Sequence, residues 1–405
     1  MTAPAPRTLL VTLTGPDRPG VTSALFAALG RHDVVVLDME QVVVRGILVL
    51  GVLLGGTDVE SAARSARAAA DELGMSVTTD PGADEVDPRR TGRTHVTLIG
   101  HPLRPAAVSG VAGRLAACGA NIDRIVRLSS YPVTTIELEV SGGDPDVLRV
   151  ELAAEAAARG VDVAVQRSGL HRRAKRLVVM DVDSTLVQDE VIELVAERAG
   201  CLAEVRAVTA AAMAGELDFA ESLHARVRLL AGLPESALDE VRAQVRLAPG
   251  ARTLVRILHR LGYQLALVSG GFTQVVGPLA DELGVHYLAA NTLDVTDGRL
   301  TGGVVGPVVD RAAKAQALLR FAAQAGVPVS QTVAIGDGAN DLDMLRTAGL
   351  GIAFNAKPVL QQVADASVNV PYLDTILYLL GISREEVEEA DAREGVVTPA
   401  PPVDS

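Results

Sequence analysis

Three short stretches in the C-terminal half carry residues whose types and spacing suit the cleavage of a phosphate monoester. Each follows an apolar run: Asp181-Val182-Asp183-Ser184-Thr185, then Ser269-Gly270-Gly271, then Gly336-Asp337-Gly338-Ala339-Asn340-Asp341. Uncatalysed, this cleavage is among the slowest reactions known, so it calls for a nucleophile, an acid and strong neutralisation of charge. Asp181 and Asp183 stand two apart where a strand would end. One carboxylate can therefore attack phosphorus while the other acts as acid and base on the leaving group and on water. Two anions beside a phosphate dianion repel it unless a hard cation sits among them. Asp181, Asp183 (through its main-chain carbonyl) and Asp337 are the expected ligands, and Mg2+ the expected ion. Ser269 and the Gly270–Gly271 backbone offer O–H and N–H donors to phosphate oxygens, with glycine allowing close approach. Of the 37 basic residues only three are lysines, Lys175, Lys314 and Lys357. Lys314, just before Ala315-Gln316-Ala317-Leu318, is expected as a point charge on the phosphate. Asn340 and Asp341 open a helix, where they can orient the nucleophile and metal-bound waters or simply cap it.

Residues so far apart need a frame. The runs LVVMDVD, LALVSGG, VAIGDG and LGIAF alternate with helical stretches from Leu177 onward. They show no polar alternation, which indicates a parallel sheet covered on both faces. Ligands of such a sheet bind beyond the carboxyl ends of its strands, where the three stretches lie. Residues 187–246, between the first two runs, are mostly helical and too long for a simple crossover. A cap over the sheet is expected. The segment 382–405, acidic and then proline-rich, is expected to be disordered.

The first half holds a repeat. VTLTGPDRPGVTSAL starts at Val11 and VTLIGHPLRPAAVSGV at Val96. Each is followed by a helical stretch, two β-rich segments, an alanine-rich helix and a last strand. The pattern is β-α-β-β-α-β twice, a ferredoxin-like α+β plait. DPGADEVDPRRTGR between the copies reads as a solvated linker. RSGLHRRAKR, residues 167–176, reads as a charged connector to the α/β half.

Composition bounds the function classes. With 405 residues, 48% of them hydrophobic, the chain has material for two or three cored domains. A formal net charge of −13 argues against nucleic acid or an anionic membrane as partner. Cys118 and Cys201 fit no metal or redox spacing, so a reducing cytosol is expected. The N-terminus lacks the apolar core of a signal peptide, and Val42–Gly56 is broken by Arg45 and glycines, so a cytoplasmic protein is expected.

DVDST, SGG, Lys314 and GDGAND resemble, in order, the four motifs of the haloacid dehalogenase superfamily, over about residues 177–381. The fold so implied is a Rossmann-like parallel-sheet core with a helical cap. Within the superfamily, VDSTLVQDE and AMAGELDFAESLHARVRLL are similar to the branch that acts on phosphoserine. The resemblance implies that Glu190 binds the substrate ammonium, Arg226 its carboxylate, and that Met213 and Phe219 close over it. An amino acid does need one anionic and one cationic partner, and arginine offers a fork to a carboxylate. The implied activity is Mg2+-dependent hydrolysis of O-phospho-L-serine to L-serine and phosphate through an aspartyl-phosphate, the last step of serine biosynthesis. Two other readings are transfer of the phosphoryl group to an acceptor alcohol and an amino-acid sensor acting on other proteins.

The repeats, residues 7–80 and 94–167, resemble ACT domains, which commonly bind amino acids. GPDRPG puts Asp17 and Gly20 in a loop before a helix, where backbone amides could hold the carboxylate of a regulatory amino acid such as serine. Copy two departs from this: Ala106 stands where Gly20 does, and His101-Pro102-Leu103 replaces Pro16-Asp17. ACT domains tend to pair by sheet extension, so a homodimer or higher oligomer is expected.

Overall fold

The computed structural model describes residues 7–81, 93–169, 172, 174–213 and 216–398, with the Met213 side chain outside the described set. The chain divides into two compact units, residues 1–90 and 91–405.

In the first unit, strands β1 (Arg7–Pro16), β2 (Val34–Val44), β3 (Ile47–Gly56) and β4 (Ser76–Pro81) form an antiparallel sheet in the order β2-β3-β1-β4. Every second residue of β3, from Leu48 to Leu54, is buried with Val11 and Leu13 of β1 against the helices Val21–Leu29 and Val59–Leu73. The second helix packs through Ala62, Ala66 and Ala70, four residues apart and so on one face. β2 is an edge strand whose Val35, Leu37, Val42 and Val44 are exposed.

The second unit opens with the same order: β5 (Thr94–Gly100), helix Pro105–Ala117, β6 (Ala120–Ser129), β7 (Thr134–Gly142), helix Pro145–Arg159 and β8 (Asp162–Arg167). Its sheet does not end there. Ala164 of β8 pairs with Ala366 of β15 (Ala366–Val368), which makes one 11-stranded sheet running into the α/β core. The junction is buried and hydrogen-bonded. The Asp162 carboxylate accepts from the backbone and the side-chain amide of Asn369, each at 2.7 Å, and Gln166 Nε2 donates to the Leu379 carbonyl at 2.8 Å. The basic connector is more than a tether: Arg172 is buried against Glu137, and buried Lys175 donates to the Ser330 carbonyl at 2.7 Å.

The core is a parallel sheet ordered β10 (Gln264–Phe272), β9 (Leu177–Met180), β13 (Thr332–Gly336), β14 (Gly351–Phe354) and β15. Every side chain from Leu177 to Met180 is fully buried. Val178 and Met180 face one cluster and Leu177 and Val179 the other, which explains a strand with no polar alternation. Beyond β10 lie β11 (Tyr287–Thr296) and β12 (Arg299–Val305), an antiparallel hairpin. Four helices, Val191–Ala199, Leu202–Met213, Phe219–Arg228 and Ala237–Gln244, lie between the paired residues Val187 and Leu247. They share an apolar cluster with Phe272 of β10 and with Leu293 and Leu300 of the hairpin. The hairpin tip also bonds the turn between two of these helices: Gly232 N–H to Leu300 O at 2.8 Å, Leu300 N–H to Leu233 O at 2.9 Å, and Glu235 N–H to Gly298 O at 2.9 Å. Among the described residues no helix is long and apolar enough to cross a membrane.

One expectation is corrected. Residues 384–393 of the segment expected to be disordered form a helix, started by a Ser383–Glu386 capping box. Acidic composition hid two buried anchors, Val387 and Asp391. The Asp391 carboxylate accepts from Arg256 Nη2 and from Thr398 Oγ1, both at 2.6 Å, and pairs with Arg260. Residues 399–405 lie outside the described residues.

Burial disfavours the ionised Asp391, but hydrogen bonds from Arg256, Thr398 and Arg260 outweigh it and hold its pKa down to about 2. A depressed carboxylate stabilises the fold above its ordinary range and loses that contribution as pH falls towards about 2. Asp391→Asn is expected to cost about 2–3 kcal/mol at neutral pH and to flatten the acid limb of stability between pH ~4 and ~2. Denaturant unfolding at pH 7 and pH 3 checks both. An unchanged midpoint would mean the helix contributes nothing to the core.

Candidate active site

The site forms where β9, β10, β13 and β14 end. Asp181 follows β9, and its backbone N–H reaches Ile335 of β13 at 2.9 Å, which fixes the chain as it leaves the sheet. A tight turn over Val182–Leu186 comes next, with Ser184 in the left-handed region at φ 57°. A non-glycine residue held there stores strain of order 1 kcal/mol or more. Its hydroxyl donates to Glu190 Oε1 at 2.9 Å, so the turn aims the carboxylate that begins the helix Val191–Ala199.

Lys314, on the helix Arg311–Gln324, has no exposed surface, and its Nζ lies 2.8 Å from Asp181 Oδ1 and 2.7 Å from Asp341 Oδ1. The other Asp341 oxygen accepts from Gly338 N–H at 3.0 Å. Asp181, Asp337 and Asp341 each place one oxygen within 4.8 Å of the others. Asp183 turns elsewhere. Its Oδ1 accepts from Val191 N–H at 2.7 Å and its Oδ2 from Ser269 Oγ at 3.0 Å. Ser269 Oγ in turn accepts from Gly271 N–H at 2.8 Å. Gly271 leaves room for these bonds, because a Cβ would sit 3.0 Å from Ser269 Oγ and 3.2 Å from Asp183 Oδ2 and would press on both.

A cavity of about 640 Å³ brings together Asp181, Asp183, Glu190, Phe219, Arg226, Gly270, Asp337 and Asn340. Ser269 and Lys314 lie behind its wall, fully buried. The Phe219 ring reaches over the Ser269-Gly270-Gly271 turn, 3.3 Å from where a Gly270 Cβ would be. Met213 ends its helix, but its side chain lies outside the described residues. Sequence reasoning gave no role to Ser184, nor to Thr185, whose Oγ1 is 3.4 Å from Asp337 Oδ1. It also left the end of β14 without chemistry, although Lys357, one of the rare lysines, lines the cavity. In the first unit, Gly20 takes φ 94° at the start of the helix Val21–Leu29, and the Asp17 amide is engaged by the Gly46 carbonyl at 2.8 Å.

The charges are crowded. Burial and then Asp341 raise the pKa of Asp181 against the pull of Lys314. Burial also raises Asp183, against its hydrogen bonds from Val191 and Ser269, and raises Glu190, with Asp183 adding to the effect. Asp337 is pushed up to about 7 by burial and by the charges of Asp341 and Glu190. Burial works against the Lys314 cation, yet Asp181 and Asp341 hold its pKa above the ordinary value. Burial lowers Arg226 despite Glu190. Three carboxylates offering hard oxygen donors, of which Asp181 and Asp337 are kept from ionising by burial and then by neighbouring negative charge, fit a divalent cation such as Mg2+.

A haloacid dehalogenase-like hydrolase family model matches residues 178–346, and ACT domain models match 7–80 and 93–166. The chain is 60% identical over 388 residues to a phosphoserine phosphatase of Streptomyces coelicolor, covering 95% of this chain and 94% of that one. It is 53% identical over 396 residues to phosphoserine phosphatase SerB2 of Mycobacterium tuberculosis, covering 96% and 97%. A solved haloacid dehalogenase family hydrolase of Salmonella enterica is similar at a TM-score of 0.63 and 26% identity, over 71% of this chain and 98% of that one.

Lys314→Met is expected to lower phosphoester turnover about 10³-fold. Lys314→Arg should fall nearly as far, because a planar fork does not fit between carboxylates 2.7 and 2.8 Å from one buried nitrogen. Steady-state rates of the two variants check this, and activity restored by arginine would refute the compact-ammonium argument.

Proposed function

The chain belongs to the phosphoserine phosphatases of the haloacid dehalogenase superfamily, and we propose that it hydrolyses O-phospho-L-serine to L-serine and phosphate through an aspartyl-phosphate on Asp181. The observation that carries the assignment of residues is the single cavity where Asp181, braced by Lys314, faces Glu190 and Arg226. Asp181 attacks phosphorus in line. Asp183, with a raised pKa, gives its proton to the serine oxygen as the P–O bond breaks, and later takes one from the water that hydrolyses the acyl-phosphate. Ser269, Gly270, Lys314 and Asn340 hold and orient the phosphoryl group. Glu190 takes the substrate ammonium and Arg226 its carboxylate, while Phe219 and Met213 close the cap and exclude water. Mg2+, held by Asp181, Asp337 and the Asp183 main-chain carbonyl, would neutralise the negative charge gathered around the phosphate.

The ACT repeats make regulation by an amino acid such as serine part of the reading, with Asp17 and Gly20 at the candidate loop. The exposed apolar edge strand β2 suits pairing with a second copy, giving a homodimer or higher oligomer. Two free cysteines suit a cytoplasmic enzyme of serine biosynthesis.

Phosphate release from L-phosphoserine, phosphothreonine, p-nitrophenyl phosphate and a phosphopeptide, with Mg2+ and with EDTA, tests the reading. A clear preference for phosphoserine, lost on chelation, is expected. Activity without preference would remove Glu190 and Arg226 from the substrate site. Asp181→Asn is expected to abolish turnover with thermal unfolding unchanged. Arg226→Ala should cut kcat/KM for phosphoserine about 10²–10³-fold and change that for p-nitrophenyl phosphate by no more than a few-fold; equal losses would contradict the carboxylate role.

A further inference from the structure

The turn Ser269-Gly270-Gly271 is oriented by a side chain outside every motif. Asn291 of β11 is 2% exposed, and both ends of its amide are used. Nδ2 donates to the Gly270 carbonyl at 2.8 Å, and Oδ1 accepts from the Val309 N–H at 2.8 Å. An acceptor on one side and a donor on the other permit a single orientation of that amide. At the other end of the same peptide group, Gly271 N–H donates to Ser269 Oγ, and Ser269 Oγ donates to Asp183 Oδ2. The Gly270–Gly271 peptide plane is thus gripped at its oxygen by Asn291 and at its nitrogen by Ser269. Two consecutive glycines impose little preference of their own, and the regular pairing of β10 with β11 breaks between Val268 and Phe272, where the turn lies. Ser269 holds the peptide nitrogen from within the turn, and the hold on the carbonyl comes from outside it, from Asn291.

We propose that Asn291 is a positioning residue for the reaction. By holding the Gly270 carbonyl, it sets the peptide plane so that the turn meets the phosphoryl group correctly and Ser269 keeps Asp183 aligned. This rests on the roles proposed above for the turn and for Asp183. The strand bearing Asn291 continues into the hairpin whose tip bonds the cap turn Gly232–Glu235. Asn291 therefore joins the phosphate end of the site to the element on which the cap rests.

Asn291→Asp keeps the size of the side chain and an acceptor for Val309 but presents a carboxylate to the Gly270 carbonyl. Calorimetric titration of the full-length Mg2+-loaded protein with inorganic phosphate and, separately, with L-serine reads the two ends of the site without relying on turnover. We expect phosphate binding to weaken about tenfold and kcat to fall about 10²-fold, as for a small misplacement of reacting groups, with L-serine binding changed less than about twofold. Equal weakening of both ligands would mean a general structural role, and no change in phosphate binding would mean the turn orients itself; either overturns the proposal. Should Asn291→Asp fail to fold, Asn291→Ser, neutral and smaller, carries the same expectation. A wild-type protein that binds phosphate but not L-serine would count against the substrate reading, while the phosphate comparison would still judge Asn291.

Discussion

A fully buried lysine between two carboxylates is the constraint on which the site depends. Lys314 brings Asp181 and Asp341 within 2.8 and 2.7 Å of one ammonium; Lys314 and Asp341 have no exposed surface, and Asp181 shows only 2%, towards the cavity. Stripping such charges of water costs several kcal/mol per ion unless the partners are placed very well. Here the placement comes from rigid parts: the end of β9, the loop after β13 and the helix Arg311–Gln324. With Asp337 added, carboxylates outnumber the one ammonium, and burial first, then the neighbouring carboxylates, raise the pKa values of Asp181 and Asp337. Such a surplus of carboxylates suits a divalent cation.

The sheet carries this constraint outward. β9 lies between β10 and β13, so the nucleophile candidate, the glycine turn and the Asp337 loop emerge side by side. On one flank the hairpin β11–β12 supports the cap and reaches the glycine turn through Asn291. On the other, the second repeat is fused to the core by β8 and by the buried bonds of Asp162 and Gln166. That repeat is therefore part of the body that carries the site.

Much of this was legible because it is local. Apolar runs without alternation mark strands buried on both faces, and alanine-rich stretches between β-rich segments mark the helices of the repeats. The residues at the strand ends name the chemistry. The tail helix was hidden because Asp391 looks like solvated charge until Arg256 and Arg260, more than 130 residues away in the chain, are brought to it. The basic connector concealed Arg172 and Lys175 for the same reason. Asn291 had no signal at all, since a single asparagine in an apolar strand is informative only when its two partners are known.

The sequence by itself determined which residues could react, that they stand at the ends of parallel strands, and that two plaits precede them. Those are consequences of periodicity and residue type over a few neighbours. Only the tertiary structure decided how the acids divide. Asp183 is drawn to Val191 N–H and Ser269, while Asp341, not Asp183, brings its side chain beside Asp181 and Asp337. The reason is physical: a carboxylate goes to the donors that packing places nearest, and the partners that settle the division sit on different strands and helices.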